Sequence, residues 1–505
     1  LKEIIREGSI TPAVDRLVGD LVAAFEGRLS DLLTIRTARR SALTKGPVEH
    51  LAATAHVRDK DWVVDPEPET LQERRVELIG GANRSELING MNAGAKSYIA
   101  DLWNFTAQDR WSILRAHKSL TGAAHRNLTY LDDREGRVRL NPFTASRLLV
   151  GLRPFFSYEA ALTIKDVPVP AAFFDLAMVA MGQGKETVRR QGGLFFYLRD
   201  VQGHQEARLW ARLFEHVEEA LGTERGTIRC TVFLDSVAGA LEADEILFEL
   251  RHHSAGLALD PQGYAADHIA LFHGPERSVL PDRETIGLNA PFLRALSLRT
   301  IGICHRRGCH AMGAPSFVLP SLDPSKVKAE YLAMLSDKER EAVDGHDGTL
   351  VVHEDMVNAS MVEFNKSMPK AHQLELQRRD MITPADLVAP PIGPITVESL
   401  KNILRTALRT LMFREQGKGW VVQGSRVHDR SSLLLAIRLL WQWIHHPGAN
   451  ISATNLPITI DLVKFMLKKE AEKMFDGNDP VIRKQVDRSM AYVLDLVGGE
   501  GVPML

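Results

Sequence analysis

Thr227–His253 reads TIRCTVFLDSVAGALEADEILFELRHH, an apolar run that ends on one acid and turns into an acidic helical stretch. Ile228–Leu234 is short and rich in β-branched and aromatic residues, so it reads as a buried strand. The strand delivers Asp235 at its carboxyl end. A parallel barrel presents metal ligands and catalytic acids at that position. Asp235 and Ser236 are also both good helix N-caps, so a capping role stands beside the chemical one.

Working outward, seven further β-rich runs alternate with helical or loop segments: VELIGG (76–81), AKSYIADL (95–102), RLLVGLRPF (147–155), GLFFYLRD (193–200), SAGLALDPQ (254–262), CHAMGAP (309–315) and TLVVHED (349–355). Eight parallel strands with intervening helices close a TIM barrel, so an α/β (β/α)8 barrel is the expected fold. Before it, VDRLVGDLVAAFEGRLSDLLTIRTARRSAL (14–43) spaces apolar residues three and four apart, which predicts an amphipathic helix. After the Pro-rich break LVAPPIGPIT (387–396) the pattern is helical again. The expected units are 1–73, 74–384 and 385–505, with no solenoid repeat.

At 505 residues and 45% hydrophobic content, the chain can bury a large core. A net charge of −2 without Lys/Arg blocks argues against nucleic acid and anionic membranes as partners. Three cysteines, Cys230, Cys304 and Cys309, show no paired metal spacing and suggest a reduced, cytoplasmic protein without disulfides. The start, LKEIIREG, lacks the apolar core of a signal sequence, and its Leu suggests that residues are missing before it. No run reaches membrane-span length. The two histidines and two cysteines of CHRRGCHAMG (304–313) fit no common structural zinc spacing, so no metal is expected there. MGQGKE (181–186) lacks the strand and helix setting of a phosphate loop, so neither ATP nor NAD is expected.

The segments RRVELIGGANRSELINGMNAGAKSYIADL (74–102), GHQEARLW onward to FLDS (203–236), CHRRGCHAMG, GHDGTLVVHE (345–354) and LWQWIHH (440–446) together resemble the malate synthases, in their shorter A-type form. The resemblance covers almost the whole chain. It implies a TIM barrel with an N-terminal helical clasp (1–73) and a C-terminal helical plug (385–505) over the barrel mouth. It also implies condensation of acetyl-CoA with glyoxylate using Mg2+, followed by thioester hydrolysis. A carboxylate must remove the weakly acidic thioester α-proton while a cation stabilises the enolate.

Residue by residue, the resemblance puts the base at Asp429, which also suits the N-cap of the helix that follows. The family's arginine position holds Gly151, and Arg153, two residues on and on the same side of a strand, is the substitute cation expected. The metal-ligating glutamate falls on Asp235, one methylene shorter, and the second ligand on Gly263. Asp235 therefore reads as a vestigial ligand with no metal bound. Asp260 and Asp267 flank the gap and read as surface groups, although compensation by either would restore a conventional malate synthase. After the second strand Asp101 is kept, while an inward glutamate has become Trp103, followed by Asn104. After the fourth strand the family's Pro-Lys-Leu-Glu-Ser has become Arg199–Gly203. Met312, Pro315 and His428, with Gly151, Trp103 and Asn104, complete the expected substrate pocket. His346 and His353 read as structural or pocket-lining, and LWQWIHH as packing for the plug.

The expectation is thus an acyl-CoA enzyme with Asp429, Asp101 and Arg153 as catalytic residues, a coenzyme A thioester as substrate, and a small-molecule acceptor other than glyoxylate. Mg2+ is not relied on. The alternatives are a non-catalytic binding or regulatory protein of the same shape, or an acyl-CoA hydrolase or cyclase. The sequence fixes neither the acceptor nor the oligomeric state.

Overall fold

The computed structural model describes residues 10–164, 166–319, 327–474 and 479–505. Eight parallel strands close into a barrel: β1 Val76–Gly80, β2 Ser97–Asp101, β3 Arg147–Gly151, β4 Leu194–Leu198, β5 Ile228–Leu234, β6 Ser254–Leu259, β7 Ala311–Ser316 and β8 Gly348–Val351. Neighbours in sequence are neighbours in space, and β8 returns to β1 through the register Val76↔Thr349. All eight runs singled out in the sequence are these strands.

Because successive side chains alternate faces, each strand splits its residues between two cores. Ile79, Ile99, Leu149, Phe195, Tyr197, Phe233, Ala258, Met312 and Leu350 fill the barrel interior. Their sequence neighbours, among them Phe196, Val232 and Leu234, join the larger core between strands and helices. Carried two residues past the last inward core residue, the same parity reaches Asp101, Gly151, Arg199, Asp235 and Asp260. That step fixes the composition of the mouth.

Pro12–Lys45 forms a single helix, started by Thr11, whose hydroxyl accepts from the Val14 amide, and by Pro12 at the first turn. It packs against the helices Ala171–Val179 and His204–Leu221 on the barrel flank. Arg36 clamps Asp200 and Glu206, and Arg40 donates to Asp267 at 2.5 Å. The helix therefore braces the loop after β4 and the helix Pro261–Leu271 after β6. Two hairpins absent from the sequence reading, Thr129–Asp132 with Gly136–Arg139 and Tyr158–Ile164 with Val167–Pro170, elaborate the flank.

At the C-terminal end, the helices Val397–Glu415, Arg430–His445, Ile460–Met474 and Pro480–Gly498 pack together. A hairpin, Val421–Gln423 with Arg426–His428, seats them on the barrel: the Val427 amide donates to the Phe317 carbonyl at 2.9 Å and the Leu319 amide to Ser425 at 2.7 Å. At Gly419 a Cβ would lie 1.9 Å from the Phe105 carbonyl oxygen, so only glycine permits this approach. Trp443, fully buried, donates to the Leu280 carbonyl at 2.8 Å, which fits the packing role expected of LWQWIHH. No described helix is long and apolar enough to cross a membrane.

Candidate active site

The helix Arg430–His445 begins at Asp429, whose Oδ1 accepts from the Ser432 amide at 2.9 Å and the Ser431 hydroxyl at 2.7 Å. Asp429 is thus the cap that its surroundings suggested, but only one oxygen is spent. Oδ2 is buried with no hydrogen-bond partner. Burial drives the Asp429 carboxyl up to about 6, against the pull of its Ser432 and Ser431 donors, with Asp260 adding to the rise and Arg199 opposing it. An unpaired carboxyl titrating near neutrality is suited to accept a proton.

Arg199 lies at the centre of the mouth. Its Nε donates to Asp101 Oδ2 at 3.0 Å and its Nη1 to Asp260 Oδ2 at 2.5 Å, while the guanidinium carbon sits 3.9 Å from the Phe233 ring centroid. Nη2 makes no hydrogen bond among the described residues. Burial works against the charge, but Asp101 and Asp260, with Asp235 and Asp429 behind them, hold the group protonated. In the sequence Arg199 stands out only as part of a changed motif. Its signal was one charged residue directly after five apolar ones, inward by parity with Tyr197.

Around this cation most carboxylate oxygens are occupied. Asp101 Oδ1 accepts from the Trp103 amide at 2.8 Å and the Asn104 amide at 2.6 Å, so Asp101 orients Arg199 and the turn after β2. Asp260 Oδ1 caps the helix Pro261–Leu271 through the Gly263 amide at 3.0 Å. Asp235 Oδ2 accepts from the Asp200 amide at 2.8 Å, presented by a residue at φ 57°, a left-handed conformation that Asp tolerates better than most. Asp235 Oδ1 is buried and unpartnered. Burial, with Asp200 and Asp260 adding to it, pushes the Asp235 carboxyl far above the usual range.

Two cavities flank the base. One, of about 630 Å3, is lined by Trp103, Asn104, Arg199, Asp235, Asp260 and Gly263 among others. Trp103 carries the Arg430 guanidinium 4.0 Å above its ring, and the Arg430 amide donates to the Asn104 carbonyl at 3.2 Å. The other, of about 670 Å3, lies between barrel and plug and includes Pro315, Arg283, Arg426 and His428. Burial and the nearby Arg283, Arg426 and Arg409 hold the His428 imidazole neutral. Asp429 thus sits between a residue lining one cavity, His428, and Ser431 of the other.

Three expectations are corrected. Arg153 does not enter the mouth: the strand ends at Gly151, and the guanidinium binds Asp175 through Nε at 2.9 Å and Nη2 at 2.6 Å, and Glu159 through Nη1 at 2.6 Å. Burial opposes the Asp175 charge, but Arg153 and His117 outweigh it and hold the carboxyl at about 2. Met312 is fully buried in the barrel interior and lines neither cavity. Asp260 and Asp267 are not surface groups, being 3% and 6% exposed, because both close ion pairs with arginines. Gly151 packs directly on Asp101, where a Cβ would approach the Asp101 Cα to 3.1 Å.

Arg153→Met should lower stability by about 3–5 kcal/mol, the cost of stranding one side of a buried ion pair. Urea unfolding gives the midpoint, and acetyl-CoA affinity of the folded fraction should not change. Lost affinity at unchanged stability would return Arg153 to the pocket.

A closed parallel barrel with an unpaired carboxyl on a helical cap and a guanidinium among carboxylates at the strand ends defines a barrel protein with an enzyme-like mouth. The chain belongs to the malate synthase family. The malate synthase TIM barrel domain matches residues 147–390. A malate synthase of Streptomyces clavuligerus is 34% identical over 448 residues, 86% of this chain and 83% of that protein. One of Myxococcus xanthus is 33% identical over 92% of this chain and 86% of the relative, and malate synthase A of Escherichia coli is 29% identical over 91% and 87%.

Proposed function

We propose that this chain catalyses Claisen-type carbon–carbon bond formation from an acetyl-CoA-like thioester, with an acceptor other than glyoxylate and with Arg199 in place of a divalent cation. The observation carrying this reading is the Arg199 guanidinium, fixed by Asp101 and Asp260 through Nε and Nη1 and with no hydrogen bond to Nη2 among the described residues, in the electrostatic reach of Asp429 and its unpaired Oδ2. Asp429 Oδ2 takes the α-proton, leaving an enolate whose oxygen the Arg199 guanidinium stabilises. The α-carbon then attacks the acceptor carbonyl carbon, and the oxygen that gains the electron pair is held by Arg199 until a proton returns. Water then attacks the thioester carbonyl of the adduct, breaking the C–S bond and releasing CoA as thiol and the hydroxy acid as carboxylate. The acyl group enters from the barrel–plug cavity and the acceptor from the mouth cavity.

The residues present do not fit Mg2+, which requires near-octahedral oxygen geometry. Asp101 Oδ2 and Asp260 Oδ2 are bridged by the Arg199 guanidinium, whose positive charge opposes a second cation at the same oxygens, and Asp200 accepts from Arg36 and Gln202. Of these four carboxylates, only Asp235 therefore keeps an oxygen without a donor. At Gly263 a Cβ would lie 2.9 Å from Asp235 Cβ, so the mouth has closed over the second ligand position. Compensation by Arg153, Asp260 or Asp267 finds no support, since all three are committed to other partners. A cavity of about 630 Å3 with an indole platform suits an acceptor larger and less polar than a two-carbon oxo acid.

CoA release from acetyl-CoA, followed with a thiol reagent across a series of aldehydes and oxo compounds, tests the reading. A larger carbonyl compound should outpace glyoxylate, without added metal. Efficient turnover of glyoxylate that needs Mg2+ would restore the ordinary malate synthase reaction. Failure of acetyl-CoA to bind in calorimetry would favour a non-catalytic partner role, and CoA release without acceptor would favour a hydrolase.

A further inference from the structure

We propose a transition-metal site of the zinc type at the opposite, amino-terminal end of the barrel, formed by His310, Asp347 and His372. His310 immediately precedes β7 and Asp347 immediately precedes β8, so adjacent strands bring them together. His372 arrives on the segment that follows the helix Val357–Ser367. One ligand atom from each lies within 4.8 Å of the others, and the described residues contain no other such group of three.

The donors keep capacity to bind. His310 is 1% exposed, its Nδ1 pairing with Glu67 at 3.0 Å and its Nε2 without a hydrogen-bond partner. His372 Nδ1 is buried without a partner while its ring is half-buried, 5.5 Å from that of His310 between centroids. Asp347 Oδ1 accepts only the Gln373 amide, at 2.6 Å, and keeps a lone pair. Asp347 Oδ2 accepts from the Ala311 amide at 2.8 Å and faces His305 Nε2 at 3.1 Å, contacts that orient the carboxylate as an outer shell does for a metal ligand. Glu67 Oε2, with no hydrogen bond, lies 3.0 Å from His310 Nδ1 and is placed to act as a fourth donor or to anchor the imidazole.

Two imidazole nitrogens and one carboxylate oxygen suit Zn2+ or Co2+ better than Mg2+ or Ca2+. Bonds of about 2.0–2.2 Å require the donors to contract by roughly an ångström, which the half-exposed His372 can supply by rotating. The sequence spacing of CHRRGCHAMG gives no expectation of a metal, because the partners of His310 come from other segments. Cys304 and Cys309 are buried against each other, the Cys309 thiol facing the Cys304 carbonyl, and only His310 of that motif takes part.

The test is Co2+ titration of the full chain after EDTA treatment, read by the visible ligand-field bands and by thermal shift, with Zn2+ as competitor. One equivalent should bind, with bands displaced by Zn2+ and a raised Tm. His372→Ala, on a half-exposed loop, should weaken binding at least tenfold, while Asp235→Asn at the opposite end should leave it unchanged. No stoichiometric binding, or binding untouched by His372→Ala, overturns the site. Loss of binding with Asp235→Asn instead would place the ion at the barrel mouth.

Discussion

Arg199→Met should lose both thioester chemistry and stability. Its removal strands Asp101 Oδ2 and Asp260 Oδ2, which the guanidinium now bridges inside the barrel mouth. Breaking one side of a buried ion pair costs about 3–5 kcal/mol. Loss of a preorganised donor to the developing oxyanion costs a further factor of roughly 10²–10³ in rate. Arg199→Lys retains the charge but cannot span two carboxylates in the guanidinium's fixed fork. It should recover part of the stability and little of the rate. Urea midpoints and deuterium incorporation into the acetyl-CoA methyl group give the two quantities separately. A folded Arg199→Met protein with undiminished exchange would reduce the residue to a structural ion pair.

Asp429→Asn should separate the same two quantities in opposite directions. An asparagine retains the oxygen that caps the helix through Ser432, but it cannot take a proton, so exchange should fall by about 10²–10⁴. A carboxyl raised from near 4 to about 6 in the folded chain destabilises the fold when ionised, on the order of 3 kcal/mol above pH 6. Its favourable contribution is fully present below pH 4 and is lost as the pH rises through about 6. The variant should therefore unfold at higher urea than the parent at pH 8 and at the same urea at pH 4. In the parent, exchange should rise with pH along a limb centred near 6. A variant less stable at pH 8 would mean that the Asp429 charge is compensated.

The barrel was legible because a fully buried strand has a sequence signature, and all eight runs carry it. Asp429 and Asp101 could be placed because neighbouring motifs anchor them. Arg153 misled because strand parity was extended past Gly151, where the backbone turns and Asp175, distant in sequence, captures the guanidinium. Asp260 and Asp267 were assigned to the surface because their partners, Arg199 and Arg40, come from remote segments. The cluster of His310, Asp347 and His372 escaped for the same reason: its ligand spacing exists only after closure of the barrel. Arg199 alone was readable in principle, since the inward parity of Phe195 and Tyr197 extends to it.

The most direct test of the central claim, that a fixed guanidinium does the work of a metal ion, is acetyl-CoA methyl exchange in D2O in two matched samples, one with EDTA and one with Mg2+. Equal rates in both, abolished by Arg199→Met, are the expected result. Exchange that appears only with Mg2+ and disappears with Asp235→Asn would contradict it.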